Sequence, residues 1–488
     1  MSLLTGRPAG DTGDTGETTD PEALFKEAKR RERRRRALIG VAVAAAVSLG
    51  AVILVVSSGR TAAPPAPATG VGRSAGPVVH AAAFAHHGLL AFVSSGALWV
   101  LDGSDGSLRR VTTTGAGAVD PVFSPDGRWL AYLVAAPPGP DSGGAQLWLA
   151  RSDGTGARPV RAVAQASDLS WSPTADVLAA IESPADTTAN STPEGTAPSA
   201  VWLVRPPGTA RMLAGTAHAV HCVWSPDGRE IAFAGAYRFG SLSVVAVAGG
   251  APVVWFPAAY DPAYPDAYNP TIPTRWLPGA GILFWIDTDD SASLEADGLP
   301  LYDVRAPAGR AVLLGTTLTS TGSVTAELGG HFAIVSGGSR YAWQTKTVEI
   351  CAAASDVCTA VAAPASDVTV DPSWSPDGRT LTFVEAPALS GGSVGQSAVE
   401  GWYAAHSLWS VRIGGGPPTA VAGTGGASAP VWSGNGRSLL YEAGDGLWLV
   451  PASSRRPVEI VSPLFPTGGW PSYYAQVDWS GQFDWWSS

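Results

Sequence analysis

Phe123-Ser124-Pro125-Asp126-Gly127-Arg128, Trp224-Ser225-Pro226-Asp227-Gly228-Arg229 and Trp374-Ser375-Pro376-Asp377-Gly378-Arg379 are three copies of one phrase, each followed by an apolar run. The phrase has the chemistry of a type I turn. Proline presets φ at the second position, aspartate tolerates the third, and glycine follows. Degraded copies stand at Trp171-Ser172-Pro173, Trp276-Leu277-Pro278-Gly279, Trp432-Ser433-Gly434-Asn435-Gly436-Arg437 and Asp478-Trp479-Ser480-Gly481. Fainter echoes are Phe84-Ala85-His86-His87-Gly88 and Glu327-Leu328-Gly329-Gly330-His331. The aromatic returns at 123, 171, 224 and 276, and a period of about fifty residues marks a propeller or solenoid.

One unit shows what is repeated. Ala219–Trp224, Glu230–Ala234, Leu242–Val247 and Pro252–Phe256 read as four strands joined by short turns. A lone four-stranded sheet leaves both faces wet, so copies must stack, and radial stacking gives a propeller. The expected fold is therefore all-β: a β-propeller of about eight four-stranded blades, with seven as the alternative because the first and sixth copies are poor. The leftover stretches Tyr474–Trp479 and Gln482–Trp486 are expected to close the ring against the first blade. The recurring aromatic is expected to pack blade on blade.

These residues resemble the TolB-like propeller repeat, found also in the propellers of prolyl oligopeptidase, dipeptidyl peptidase IV and LpqB-type proteins. The resemblance covers roughly residues 76–488. It implies a domain that binds partner proteins or gates an enzyme, but it transfers no functional residue, because the matched motif is the turn that builds the blade.

Ahead of the repeats, Ala37–Val56 is an uncharged apolar run preceded by RRERRRR (Arg30–Arg36). At 1.5 Å per residue such a helix spans about 30 Å, a bilayer's hydrocarbon thickness. The expected order is a cytoplasmic tail over 1–36, one transmembrane helix over 37–57, a Pro/Ala/Gly linker over 58–76, and an extracytoplasmic propeller over 77–488. A cleaved signal peptide fits less well, because its leading segment would be shorter. No lipobox is present, since the first cysteine is Cys222. Lysine at only 26, 29 and 346 accords with a high-GC genome such as an actinobacterium's.

The net charge is −10, yet residues 1–36 carry nine basic and seven acidic groups. The remainder holds 22 basic and 34 acidic groups, a net −12. Such a domain repels phosphate backbones, so nucleic acid is not an expected partner. The expected partners are another envelope protein or a wall component, with the membrane engaged through the chain's own helix. No cofactor and no metal is expected.

Labelling strands A to D outward from the axis puts the A–B and C–D turns on one face and the B–C and D–A connections on the other. The long connections, Ala135–Gly144, Glu182–Ser199, Asp287–Pro300, Ala386–Ala404 and Tyr260–Pro270, are all of the second kind. That face is expected to engage the ligand. Within it, Tyr260, Asp261, Tyr264, Asp266, Tyr268 and Asn269 form the candidate binding loop, with rings to stack and polar atoms to bond a glycan or peptide. The bland alternative is a proline-stiffened loop covering a blade edge.

No catalytic constellation is expected. Gly391–Gly395 has nucleophile-elbow spacing around Ser393, but that motif needs an α/β sheet. His218 and His221 would face opposite sides of a strand, and the Asp287–Ser291 run lacks an EF-hand's glycine and distal glutamate. An oxidising exterior permits a Cys351–Cys358 disulfide across a hairpin. The leading functional expectation is a membrane-anchored binding module; the alternative is an enzyme acting on glycans or peptides through the central funnel.

Overall fold

The computed structural model describes residues 76–113, 116–135, 145–183, 199–235, 240–260, 268–278, 281–287, 298–326, 330–391, 394–451, 455–464 and 481–487. The expected tail, membrane helix and most of the linker lie outside these residues, as does Tyr474–Trp479. Among the described residues no helix is long and apolar enough to cross a membrane.

The second repeat shows the unit. Ala118–Phe123, Trp129–Ala135, Ala145–Arg151 and Arg158–Pro159 pair in chain order as antiparallel strands A to D. Six more units repeat that order, with A strands at Ala166–Trp171, Ala219–Trp224, Thr271–Trp276, Val324–Ala326, Asp367–Trp374 and Ala427–Trp432. Blades 2 and 3 touch through one backbone pair, Ala145↔Ala166, and blades 5 and 6 through Thr317↔Ser336.

Blade 1 takes its A strand from the far end of the chain. Phe483–Trp486 pairs with Leu89–Ser94, and Ala97–Asp102 and Leu108–Arg110 complete that sheet. Val78–Val79 adds a fifth strand outside the D strand of blade 8. The ring is thus held at both ends of the chain. Among the described residues there are eight blades, not seven: the sixth is complete, and the first lacked only its own A strand.

Apolar side chains fill every gap between neighbours. Val93 and Leu98 of blade 1 cluster with Leu130 and Tyr132 of blade 2. Further clusters join 2 to 3, 3 to 4, 4 to 5 and 5 to 6. One more spans 6, 7 and 8, and Leu440 and Leu449 of blade 8 meet Phe92 and Trp485 of blade 1. The succession returns to its start, which is what a closed ring requires. Burying one such side chain stabilises by roughly 1.5–3 kcal/mol.

The turn motif now has its full chemistry. The Ser225 hydroxyl donates to Asp227 Oδ1 at 2.7 Å, while the Arg229 amide donates to the same oxygen at 3.1 Å. The Glu230 amide donates to Ser225 Oγ at 2.9 Å, and Gly228 sits at φ +68°. The same net recurs around Ser124 and Ser375, and around Ser433, where Asn435 replaces the aspartate.

The motif aromatics reach across blades as expected. Trp171 Nε1 donates to the Val122 carbonyl at 3.1 Å, and Trp224 Nε1 to that of Ser170 at 2.9 Å. A second link was not foreseen. Asp168 Oδ2 accepts from the Cys222 amide at 3.1 Å, Asp371 Oδ2 from Ala429 at 3.0 Å, and Asp484 Oδ2 from Phe123 at 2.7 Å. Each bond ties one A strand to the next, so the A strands surround the axis. Asp168 and Asp371 hold positive φ where the A strand bulges, a conformation that aspartate tolerates better than most residues.

Candidate functional site

The two faces differ in what they carry. On the A–B/C–D face the connections are short, from 225–229 and 375–379 up to 305–311. On the B–C/D–A face the chain runs 183–199, 257–270, 287–298, 388–406 and 463–482 between strands. Charge is mixed on the short-turn face, where arginines stand beside turn carboxylates such as Asp126, Asp227 and Asp377. Arg128, Arg151, Arg205, Arg229, Arg379 and Arg412 lie at short turns. The connection 287–298 holds Asp287, Asp289, Asp290, Glu295 and Asp297 with no basic residue.

Of the candidate loop, Tyr260, Tyr268 and Asn269 fall in a small hairpin between blades 4 and 5, with Ala259↔Asn269 and Tyr260↔Tyr268 paired. Asp261, Tyr264 and Asp266 lie outside the described residues. The loop's base meets its neighbours: the Asp287 amide donates to the Pro270 carbonyl at 3.0 Å, and that of Thr271 to Gly240 at 2.8 Å. Three connections therefore converge at this rim.

A better-built corner lies at blades 6 to 8, where the sequence reading placed only a loop. Within 388–406 the chain forms one helix, α1 (Gln396–Ala404), with Val399 and Trp402 buried. Gly395 precedes it without a side-chain cap. So short a helix is held by packing rather than propensity. Trp343, from the blade 6 connection, meets Trp402 edge-on at 6.3 Å and stacks with Tyr341 at 5.0 Å. Beneath that connection Lys346 is buried, its Nζ donating to the carbonyls of Ser339 at 2.7 Å and Gly338 at 3.0 Å. Ser393 lies outside the described residues.

Under α1 the corner turns polar. His406 Nδ1 lies 3.1 Å from the Ala427 carbonyl and 3.2 Å from Ser428 Oγ. Ser428 is the cross-strand partner of Glu442. Glu442 is 3% exposed and His406 2% exposed. Burial, then the charges of Asp371 and Asp445, push the Glu442 carboxyl up to about 9. Burial lowers His406 to about 4, so at neutral pH both groups are uncharged. Burial, then Asp371 and Glu442, raise the Tyr403 phenol. Glu442 Oε1, His406 Nε2 and Trp402 Nε1 are buried without a hydrogen-bond partner among the described residues. No sequence pattern marks this group, because its members come from two blades, 7 and 8.

At the axis, His221 Nδ1 stands 3.5 Å from Asp168 Oδ2, both side chains about two-fifths exposed. Burial raises Asp484 to about 6 against its amide bonds. These carboxylates are committed to backbone amides of the ring. Among the described residues no three His, Cys, Asp or Glu side chains converge to hold a metal ion. Cys351 and Cys358 face each other in the C–D hairpin of blade 6, their sulfurs 1.99 Å apart; Cys222 is free and buried.

No family model matches the chain, and no curated protein matches its sequence. Solved structures similar to it include TolB from Acinetobacter baumannii, at 12% identity over 75% of this chain and 76% of that one, with a TM-score of 0.31. An oligogalacturonate lyase in complex with manganese shares 11% identity over 77% of this chain and 85% of its own, with a TM-score of 0.41. A Mycobacterium tuberculosis puromycin-hydrolyzing peptidase shares 16% identity, covering 62% of this chain and 47% of the peptidase, with a TM-score of 0.39. Likeness at this level carries no argument about function. The fold stands on the strand register and the interblade clusters.

Proposed function

We propose that the chain is a membrane-anchored, extracytoplasmic propeller that binds another envelope protein or a wall component through its B–C/D–A face. The observation that carries this reading is the asymmetry between faces. One face is a set of tight turns; the other carries the long connections, one of them strongly acidic, and an aromatic layer. Loops lengthen beyond what connection needs where they serve recognition. The apolar run at 37–57 and its arginine flank support the anchor.

Photocrosslinking in living cells tests it. A photoreactive residue at Glu400, exposed on α1, is expected to trap a defined product, and one at Asp227 on the other face is not. Equal capture from both positions, or from Asp227 alone, overturns the assignment of the face. Protease added outside intact cells is expected to reach the propeller; protection there overturns the topology.

The second reading, an enzyme working through the funnel, draws on the Asp168–His221 pair at the axis. It expects turnover of a glycan or peptide that is lost in His221→Ala.

A further inference from the structure

We propose that the groove between blades 6 and 7 on the short-turn face binds a small oxyanion, a phosphate or a carboxylate, between Arg379 and Arg412. The groove has a volume of about 510 Å³ and is lined by His331 of blade 6 and by Asp377, Gly378, Arg379, Arg412 and Gly414 of blade 7. That is the size of a small-molecule site, on the face opposite the proposed partner surface.

The reason lies in how the arginines of this face are otherwise spent. In blade 2, Arg128 Nε lies 3.2 Å from its own turn carboxylate, Asp126. In blade 4, Arg229 Nε lies 3.8 Å from Asp227. Arg305 is more fully engaged, its guanidinium bonding Asp303 at 2.9 Å, the Ala353 carbonyl at 2.7 Å and Asp356 at 2.5 Å. In blade 8, Arg437 at the turn position of Arg128 and Arg229 makes no ion pair among the described residues, but there Asn435 replaces the aspartate. Blade 7 differs from blades 2 and 4. Arg379 occupies the same turn position as Arg128 and Arg229 but makes no ion pair within 4 Å among the described residues, and neither does Arg412.

Their backbones are locked together. Thr380, next to Arg379, is the cross-strand partner of Arg412, and the Ile413 amide donates to the Arg379 carbonyl at 2.9 Å. Two exposed guanidinium groups are thereby held at one wall that carries a single carboxylate, Asp377. Asp377 feels the charge of both arginines, but it forms an ion pair within 4 Å with neither among the described residues. Its Oδ1 accepts from the Ser375 hydroxyl at 2.6 Å and the Arg379 amide at 3.1 Å, and one negative charge offsets only one of the two cations. Adjacent guanidinium forks match the geometry of phosphate and carboxylate oxygens. Gly414 leaves the floor open, with nothing within 4 Å of where a Cβ would stand.

Calorimetric titration of the full-length chain at low ionic strength tests this, with inorganic phosphate in one arm and citrate in the other. Saturable one-to-one binding of at least one probe is expected, and the tighter arm names the oxyanion. Arg379→Gln and Arg412→Gln are each expected to weaken that binding tenfold or more. Arg229→Gln, at the equivalent turn of blade 4, is expected to leave it unchanged. All three side chains are exposed, and coincident thermal unfolding curves check that the variants fold. Failure of both probes to saturate overturns the proposal. So does equal weakening by Arg229→Gln, which would reduce the effect to the general charge of the face.

Discussion

The two ends of the propeller treat their carboxylates in opposite ways. On the short-turn face the Ser225 hydroxyl and the Arg229 amide hold the Asp227 carboxyl below its ordinary range, and Ser375 and Arg379 do the same for Asp377. On the long-connection face burial raises Glu182, Glu385 and Glu442. Two short-turn groups break the rule. Asp303 is pushed up to about 7 by burial and Asp356, and Asp176 is raised by burial and Asp126. The contrast teaches where each face spends its polar groups. Turn carboxylates are ionised and satisfied, and they build the frame. At the other end Glu385 and Glu442 are buried, and their raised carboxyls stabilise the fold less.

Removing the shared frame should have the largest effect. Deleting 483–488 strips blade 1 of its A strand and uncovers Leu90 and Phe92. Cooperative unfolding, followed by near-ultraviolet circular dichroism, is expected to disappear, because the loss approaches the roughly 5–15 kcal/mol that holds a domain. A truncated chain that still unfolds cooperatively would show that the ring closes without this strand.

Next comes Glu442→Gln. Its carboxyl is raised in the folded state, so the stability tied to its proton is present below about pH 4.5 and lost as pH rises toward 9. The variant should be more stable at pH 9 by several kcal/mol, with little change at pH 4. A denaturant series at the two pH values reads the difference, and an unchanged slope would place Glu442 in water.

Ser375→Ala probes the other face. It removes the hydroxyl bonded to Asp377 and to the Thr380 amide, at a cost of about 1–2 kcal/mol. The sign with pH is reversed. Asp377 is lowered in the folded state, so its contribution is present above about pH 4 and lost on acidification. The variant's deficit should therefore shrink on acidification.

The smallest effect is expected from the long connections. Replacing 184–198 by a short Gly/Ser link should alter stability by about 0.5 kcal/mol or less, while reducing crosslinking from Glu400. A larger loss of stability would make that connection part of the frame.

Much of the frame was legible before any coordinates. Ser-Pro-Asp-Gly-Arg is local chemistry, and a turn that satisfies itself within six residues announces itself wherever it recurs. One further repeat went unread. Leu213-Ala214-Gly215-Thr216 and Val421-Ala422-Gly423-Thr424 build matching D–A turns, in which the Thr216 and Thr424 hydroxyls accept from the Val201 and Leu408 amides. Helix α1 was missed because Val399 and Trp402, three residues apart, give one apolar stripe too short to stand out beside Gly395 and Gly401.

Alone, then, the amino-acid order determined the blade, its period, the ring and which connections are long, because each follows from hydrogen bonds and apolar alternation within one repeat. Only the tertiary structure decided that Glu442, His406, Trp402 and Asp371 share one corner and that Arg379 and Arg412 share one wall with no ion pair within 4 Å among the described residues. The first relation joins two blades and the second two strands of one blade, and the charge a side chain meets there is set by spatial neighbours that the local sequence does not encode.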